Sequence, residues 1–192
     1  MRKMLLNYGV FQVGWFACVL GAAYGRPWMG PMVVSLAVGL HLAGAARPRR
    51  EALLLALSAL IGLVFDTLLL QTGWVDYPNG WWLPGAAPYW MVAMWVLFGT
   101  TLNLSMRWLH GRPWLAFTFG FIGGPLSYLA GERLGAMMLV QTGPALVALA
   151  IGWGLVLPLL FWLAAKLNGF TNGNRPEFIM SSWRKNEVQG HG

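Results

Sequence analysis

The sequence predicts an all-α membrane protein, a polytopic bundle of six transmembrane helices with both termini on the cytoplasmic side. Three observations point there. Of 192 residues, 57% are hydrophobic and only 10% charged, with a mean hydropathy of +0.57, whereas soluble domains carry roughly a quarter charged residues. The apolar residues form runs near the ~20 residues that span a ~30 Å hydrocarbon layer. Finally, Lys and Arg gather in alternate connections between those runs, the pattern that sets orientation in a bilayer.

The first run, Leu5–Tyr24, follows Arg2 and Lys3. It resembles a signal peptide in its opening, but it reaches spanning length and is read as a permanent helix. The second run covers Trp28–Ala46 and the third Ala52–Thr72, with Arg47, Arg49 and Arg50 between them. The fourth covers Ala86–Leu109. The fifth, from Trp114 to about Val140, contains Gly123-Gly124-Pro125 and then Glu132-Arg133. Proline lacks a backbone donor and crowds the preceding turn, so a helix kinked or broken near Gly123–Pro125 is expected, with a re-entrant segment as the rival. The sixth run is Pro144–Ala165.

With six spans, eleven Lys and Arg residues fall on the side of the N-terminus and two, Arg26 and Arg133, on the other. This asymmetry places the N-terminus, the connections after the second and fourth helices, and the C-terminus inside. Residues 1–167 then form a single transmembrane domain and residues 168–192 a polar cytoplasmic tail, expected to be mobile or interfacial. The connection from Gly73 to Pro88 lies outside and carries Trp74, Tyr77, Trp81 and Trp82 without Lys or Arg. Aromatic rings favour the headgroup level, so this loop is expected to lie along the outer interface, or else to cap a ligand.

Composition also excludes functions. The charge of +7 comes without a groove-reading basic element, so no nucleic-acid partner is expected. Cys18 is the single cysteine, which removes intrachain disulfides and thiolate clusters. Three histidines are too few for the histidine boxes of a di-iron enzyme. Ser127 lacks the GxSxG setting of a nucleophile, and no phosphate- or dinucleotide-binding glycine loop occurs. No metal or cofactor is expected.

Asp66 is the most informative side chain, because an ionisable group within a span is costly and normally faces the bundle interior. Ser58, Gly62 and Asp66 recur every four residues and share a face. Glu132 and Arg133 should approach the same outer level. Arg133 would make an ion pair with Asp66, whereas Glu132 would share a proton or a cation with it. Gly120, Gly124, Gly131 and Gly135 fall on one face of the fifth run and suggest close helix packing. On the inner side, Gln12, His41, Asn103 and Arg107 form a second polar set, with Thr100, Asn103 and Arg107 spaced to share a face of the fourth helix. These would line a cavity, contact a lipid phosphate, or simply bond between helices.

Phe11-Gln12-Val13-Gly14-Trp15, Asp66, Pro88-Tyr89-Trp90 with Trp95 and Thr101-Leu102, and Gly123-Gly124-Pro125-Leu126-Ser127-Tyr128-Leu129-Ala130-Gly131 together resemble a bacterial inner-membrane family, domain-of-unknown-function family 2878. The likeness runs in order over roughly residues 5 to 166. It implies no catalytic role. It implies a setting beside cyclopropane-fatty-acid-synthase-like and flavin-oxidoreductase genes, hence an accessory role in acyl-chain modification of membrane lipids or its stress response. Membrane lipids and lipid-modifying enzymes are then the expected partners. Two other readings stand beside it. One is a small transporter or a substrate-capture subunit resembling the S component of an energy-coupling-factor transporter, docking a transporter partner through Gly14, Cys18 and Ala22 of the first helix. The other is an intramembrane enzyme using Asp66 and Glu132 as acid and base.

Overall fold

The computed structural model describes residues 2–170, and these fold into six α-helices without a strand. They are α1 (Arg2–Ala23), α2 (Met29–Ala43), α3 (Pro48–Gln71), α4 (Tyr89–Leu102), α5 (Pro113–Arg133) and α6 (Thr142–Lys166), with a short 3-10 turn at Arg107–Leu109. Three helices, Lys3–Ala23, Pro48–Gln71 and Thr142–Lys166, are long and apolar enough to cross a membrane. α2 and α4 have only 15 and 14 residues.

Hydrogen bonds between connections define two ends of the bundle. At one end Asn79 of the α3–α4 loop donates to the Ala22 carbonyl at 2.7 Å, and Asp76 pairs antiparallel with Met138 of the α5–α6 loop. We call this the loop end. At the other, the terminal end, Asn7 of α1 accepts from the Ser105 backbone and hydroxyl after α4, and Arg47 N–H donates to the Gly169 carbonyl at 2.9 Å. Successive helices therefore alternate in direction. The core between them is aromatic, with Trp90, Trp95 and Tyr77 almost wholly buried.

Proline opens α3 and α5 at their first turns, where its missing N–H is no loss. Of the kink or break expected near Gly123–Pro125, the break is absent: α5 runs as one helix past Pro125. The ring removes the one backbone hydrogen bond that residue 125 would donate to the Phe121 carbonyl, without ending the helix. The helix stops well short of Val140 because Gly135 adopts φ +85° and closes a Schellman cap: Gly135 N–H donates to the Glu132 carbonyl and Ala136 N–H to that of Gly131. Gly135 is therefore a turn residue and not a member of the glycine face. Only glycine takes this left-handed conformation without strain.

α4 also ends early, at Leu102 rather than Leu109. A continuing helix would bond Leu104 N–H to the Thr100 carbonyl, but Asn7 Nδ2 donates to that oxygen at 3.2 Å and Leu104 turns to Thr101. Thr100, Asn103 and Arg107 consequently do not share a helical face. The small residues of α1 are likewise not free to dock a partner. A Cβ on Gly14 would strike Leu97 of α4, Cys18 lies against Gly30 of α2, and Cys18 and Ala22 are wholly buried.

Two expectations about loops need correction. The Gly73–Pro88 connection does not merely lie along a surface: Val75 and Tyr77 plug the loop end, while Trp81 and Trp82 stay exposed. After α6, the chain does not leave the bundle at Asn168. Gly169 is buried and Phe170 packs edge-on against His41, with ring centres 5.0 Å apart. The rest of the polar tail lies outside the described residues.

Candidate functional site

α3 organises the polar interior. Glu51, Ser58, Gly62 and Asp66 lie on one face and are all buried, because spacings of seven, four and four return to the same side of a helix. Gly62 meets the Trp95 ring of α4 so closely that any side chain would overlap it. That contact sets the distance at which Trp95 reaches Asp66.

Asp66 has no exposed surface and receives three donors. Trp95 Nε1–H donates to Oδ2 at 2.6 Å, Tyr77 O–H to Oδ1 at 2.8 Å, and Tyr128 O–H also to Oδ1. One carboxyl thus joins α3, α4, α5 and the α3–α4 loop. No Lys, Arg or His makes an ion pair with Asp66 among the described residues.

Neither sequence-expected partner is there. Arg133 is exposed at the end of α5. Glu132 points to the turn that follows, where its Oε1 accepts from Leu139 N–H at 2.9 Å. Both residues sit where the Schellman cap reverses the chain, one turn beyond Tyr128, and it is Tyr128 that reaches Asp66. The aromatic partners were missed because a phenol or indole in an apolar run reads as packing until a carboxylate faces it.

Beside this hub lies a cavity of about 210 Å³. It separates α1 from α5, and α4 and α6 form its back. Phe11 and Trp15 line it from α1, Trp95 and Phe98 from α4, Trp153 from α6, and Gly120, Gly123, Gly124, Tyr128 and Gly131 from α5. Trp95 and Trp153 stack at 4.4 Å and 12°, with Phe98 edge-on to Trp153. Gly120 and Gly124 are filled by Trp153, whereas a Cβ on Gly123 would meet nothing within 4 Å. Its lining residues on α5 run from Phe119 to Gly131, positions about 18 Å apart along the helix at 1.5 Å per residue.

At the terminal end the inner polar set is rearranged around Glu51. His41 Nε2–H donates to Oε2 at 3.0 Å, Asn103 Nδ2–H to Oε1 at 2.8 Å, and Gly169 N–H to Oε1 at 2.6 Å. His41 Nδ1 and Asn103 Oδ1 are buried without a partner among the described residues. Gln12 instead donates to Tyr8 on its own helix at 2.7 Å, and Arg107 is exposed. Glu51 itself escaped the sequence reading, since it sits beside Arg49 and Arg50 and looks like part of a solvated connection. Its register, seven residues before Ser58, was the available signal.

Residues 4–159 match the model of a family described as protein of unknown function, DUF2878. The match covers most of the chain, which belongs to that family. No curated protein and no solved structure matches it.

Proposed function

We propose that this DUF2878 member is an integral protein of the bacterial inner membrane, an accessory to acyl-chain modification of membrane lipids or its stress response, holding a lipid chain in the cavity between α1 and α5. The observation that carries this is the cavity's lining. It is walled by aromatic and methionine side chains and by glycines of α5, of which Gly123 leaves its Cβ position open. At about 210 Å³ it is smaller than the roughly 300–1,000 Å³ of common small-molecule pockets. A segment of a chain fits it better than a whole lipid.

The topology belongs to the same proposal. All six helices cross the bilayer, with both termini in the cytoplasm. Support comes from the alternation of helix direction together with the excess of Lys and Arg at the terminal end. α4 is about 21 Å long by its rise per residue, and the packed segments Asn103–Leu109 and Thr72–Pro88 on either side of it supply the remaining thickness.

The intramembrane-enzyme reading needs Asp66 and Glu132 on one substrate atom, but their hydrogen bonds direct them to different partners. The transport reading loses its docking face on α1, already occupied by α2 and α4.

The test is native mass spectrometry of the purified full chain after mild delipidation, alongside lipid profiling of a deletion strain carrying wild type or Gly123→Leu. Retained lipid in the wild type, its loss in Gly123→Leu, and altered acyl chains in both deletion and variant are expected. Unchanged acyl chains in the deletion strain would remove the accessory role. Lipid retention indifferent to Gly123→Leu would remove the cavity as its seat.

A further inference from the structure

α1 presents two faces. Phe11, Trp15 and Val19 border the cavity beside Asp66, whereas Leu6, Gly9 and Val13, also spaced by three and four, lie on the opposite side of the helix. That second face borders a groove between α1 and α2, about 750 Å³ in volume and lined throughout by apolar residues. Leu5, Leu6 and Val13 of α1 and Leu36 and Leu40 of α2 stand exposed along it.

The groove exists because the two helices are held together at one end and apart at the other. Toward the loop end, a Cβ on Gly30 of α2 would lie 2.7 Å from the Cα of Cys18 in α1. Toward the terminal end each helix is tied to a different neighbour, Asn7 of α1 to the Thr100 carbonyl of α4 at 3.2 Å and His41 of α2 to Glu51 of α3 at 3.0 Å. Side chains do not refill the gap at Gly9, where a Cβ would meet nothing within 4 Å. The lining on α1, from Leu5 to Val13, covers about 12 Å at 1.5 Å per residue. An acyl chain seated there touches protein on two sides, gaining dispersion contacts that a convex helix face does not offer.

The end toward which the groove opens is basic. Lys3 lies three residues before Leu6 and so on the same side of α1, while the chain runs on from Leu40 into Arg47, Arg49 and Arg50; all four are exposed. None of them makes an ion pair among the described residues. Glu51, the one described acid at this end, is buried and accepts from His41, Asn103 and Gly169. Asp66, Asp76 and Glu132 belong to the loop end. These cations lack a counter-charge, and a second copy in the same membrane orientation would bring its own like charges beside them.

We propose that the groove between α1 and α2 holds an acyl chain of an anionic phospholipid, whose phosphate is bound at the terminal end by Lys3 and Arg47. Basic pockets between membrane helices recognise such headgroups. The site is independent of the cavity between α1 and α5.

Native mass spectrometry of the full chain tests it, in a Gly123→Leu background so that the α1–α5 cavity does not contribute, with phosphatidylglycerol and phosphatidylethanolamine of identical chains. Phosphatidylglycerol should be retained at least about fivefold better, the effect of one surface cation. Lys3→Gln with Arg47→Gln should erase that preference and leave the weaker retention of phosphatidylethanolamine unchanged. Gly9→Phe should lower retention of both lipids at an unchanged melting temperature, because its Cβ position is open; should it fail to fold, Leu36→Ala with Leu40→Ala, both exposed, should lower retention in its place. Equal retention of the two lipids would overturn the anionic headgroup. A preference for phosphatidylglycerol that survives every variant would overturn the groove as its seat. A dimer that Gly9→Phe dissociates, indifferent to added lipid, would make a second copy the occupant and overturn the proposal.

Discussion

Glu51 and Asp66 stand on one face of α3, about 22 Å apart along its axis at 1.5 Å per residue, and neither exposes any surface. Each is the acceptor on which neighbouring segments converge. Asp66 gathers α4, α5 and the α3–α4 loop; Glu51 gathers α2, the end of α4 and the chain after α6. α3 thus fixes both ends of the bundle.

Removing the acceptor at Asp66 should cost more than removing one donor. Asp66→Ala strands a Trp N–H and two Tyr hydroxyls, each worth about 1–3 kcal/mol when left unpaired. Tyr77→Phe removes a single bond, on the order of 1 kcal/mol. Thermal unfolding in detergent should rank wild type above Tyr77→Phe above Asp66→Ala, and a Tyr77→Phe variant as unstable as Asp66→Ala would show that the loop plug, not the carboxyl, holds this end.

The Glu51 cluster predicts a clamp on the segment after α6. A Cβ on Gly169 would lie 2.6 Å from the Arg47 carbonyl oxygen, so Gly169→Ala and Glu51→Ala should both free this segment. Tryptic cleavage after Lys166 is the readout. It should be slow in wild type and accelerated in both variants, while Glu51→Gln, which keeps an acceptor, should stay closer to wild type.

Gly62 and Gly123 should respond in opposite ways to the same change. Gly62→Leu drives a side chain into the Trp95 ring, where a Cβ alone would sit at 2.0 Å, and overpacking of this kind costs about 1–3 kcal/mol or more. At Gly123 the Cβ position is open, so Gly123→Leu should leave the melting temperature nearly unchanged while excluding ligand. Equal destabilisation by both would mean that the space beside Gly123 closes.

Topology is accessible through the single cysteine. In a Cys18→Ala background, cysteines placed at Arg49 and Arg112 should react with membrane-impermeant maleimide only after cell lysis, and one at Trp82 should react in intact cells. Labelling of Arg49 in intact cells would reverse the proposed orientation.

Apolar run lengths marked all six helices, and the match to DUF2878 runs across them over residues 4–159. These properties are sums over neighbouring residues, so they survive without knowledge of the fold. Helix ends were harder. α4 stops because Asn7, more than ninety residues away, takes the Thr100 carbonyl, and α5 stops because Gly135 caps it. The Gly135 cap is local but was masked by the helical spacing of the four glycines.

The sequence by itself determined that Asp66 lies in an apolar helix on a face of small residues, since helical period and composition are read residue by residue. Only the tertiary structure decided what meets it. Glu132 and Arg133 were the charged candidates, yet the chain turns them toward the α5–α6 connection and delivers Tyr77, Trp95 and Tyr128 instead. The reason is directional: a carboxylate accepts from whichever donors the packed backbones aim at it, and that aim depends on where α5 ends and how the α3–α4 loop folds inward.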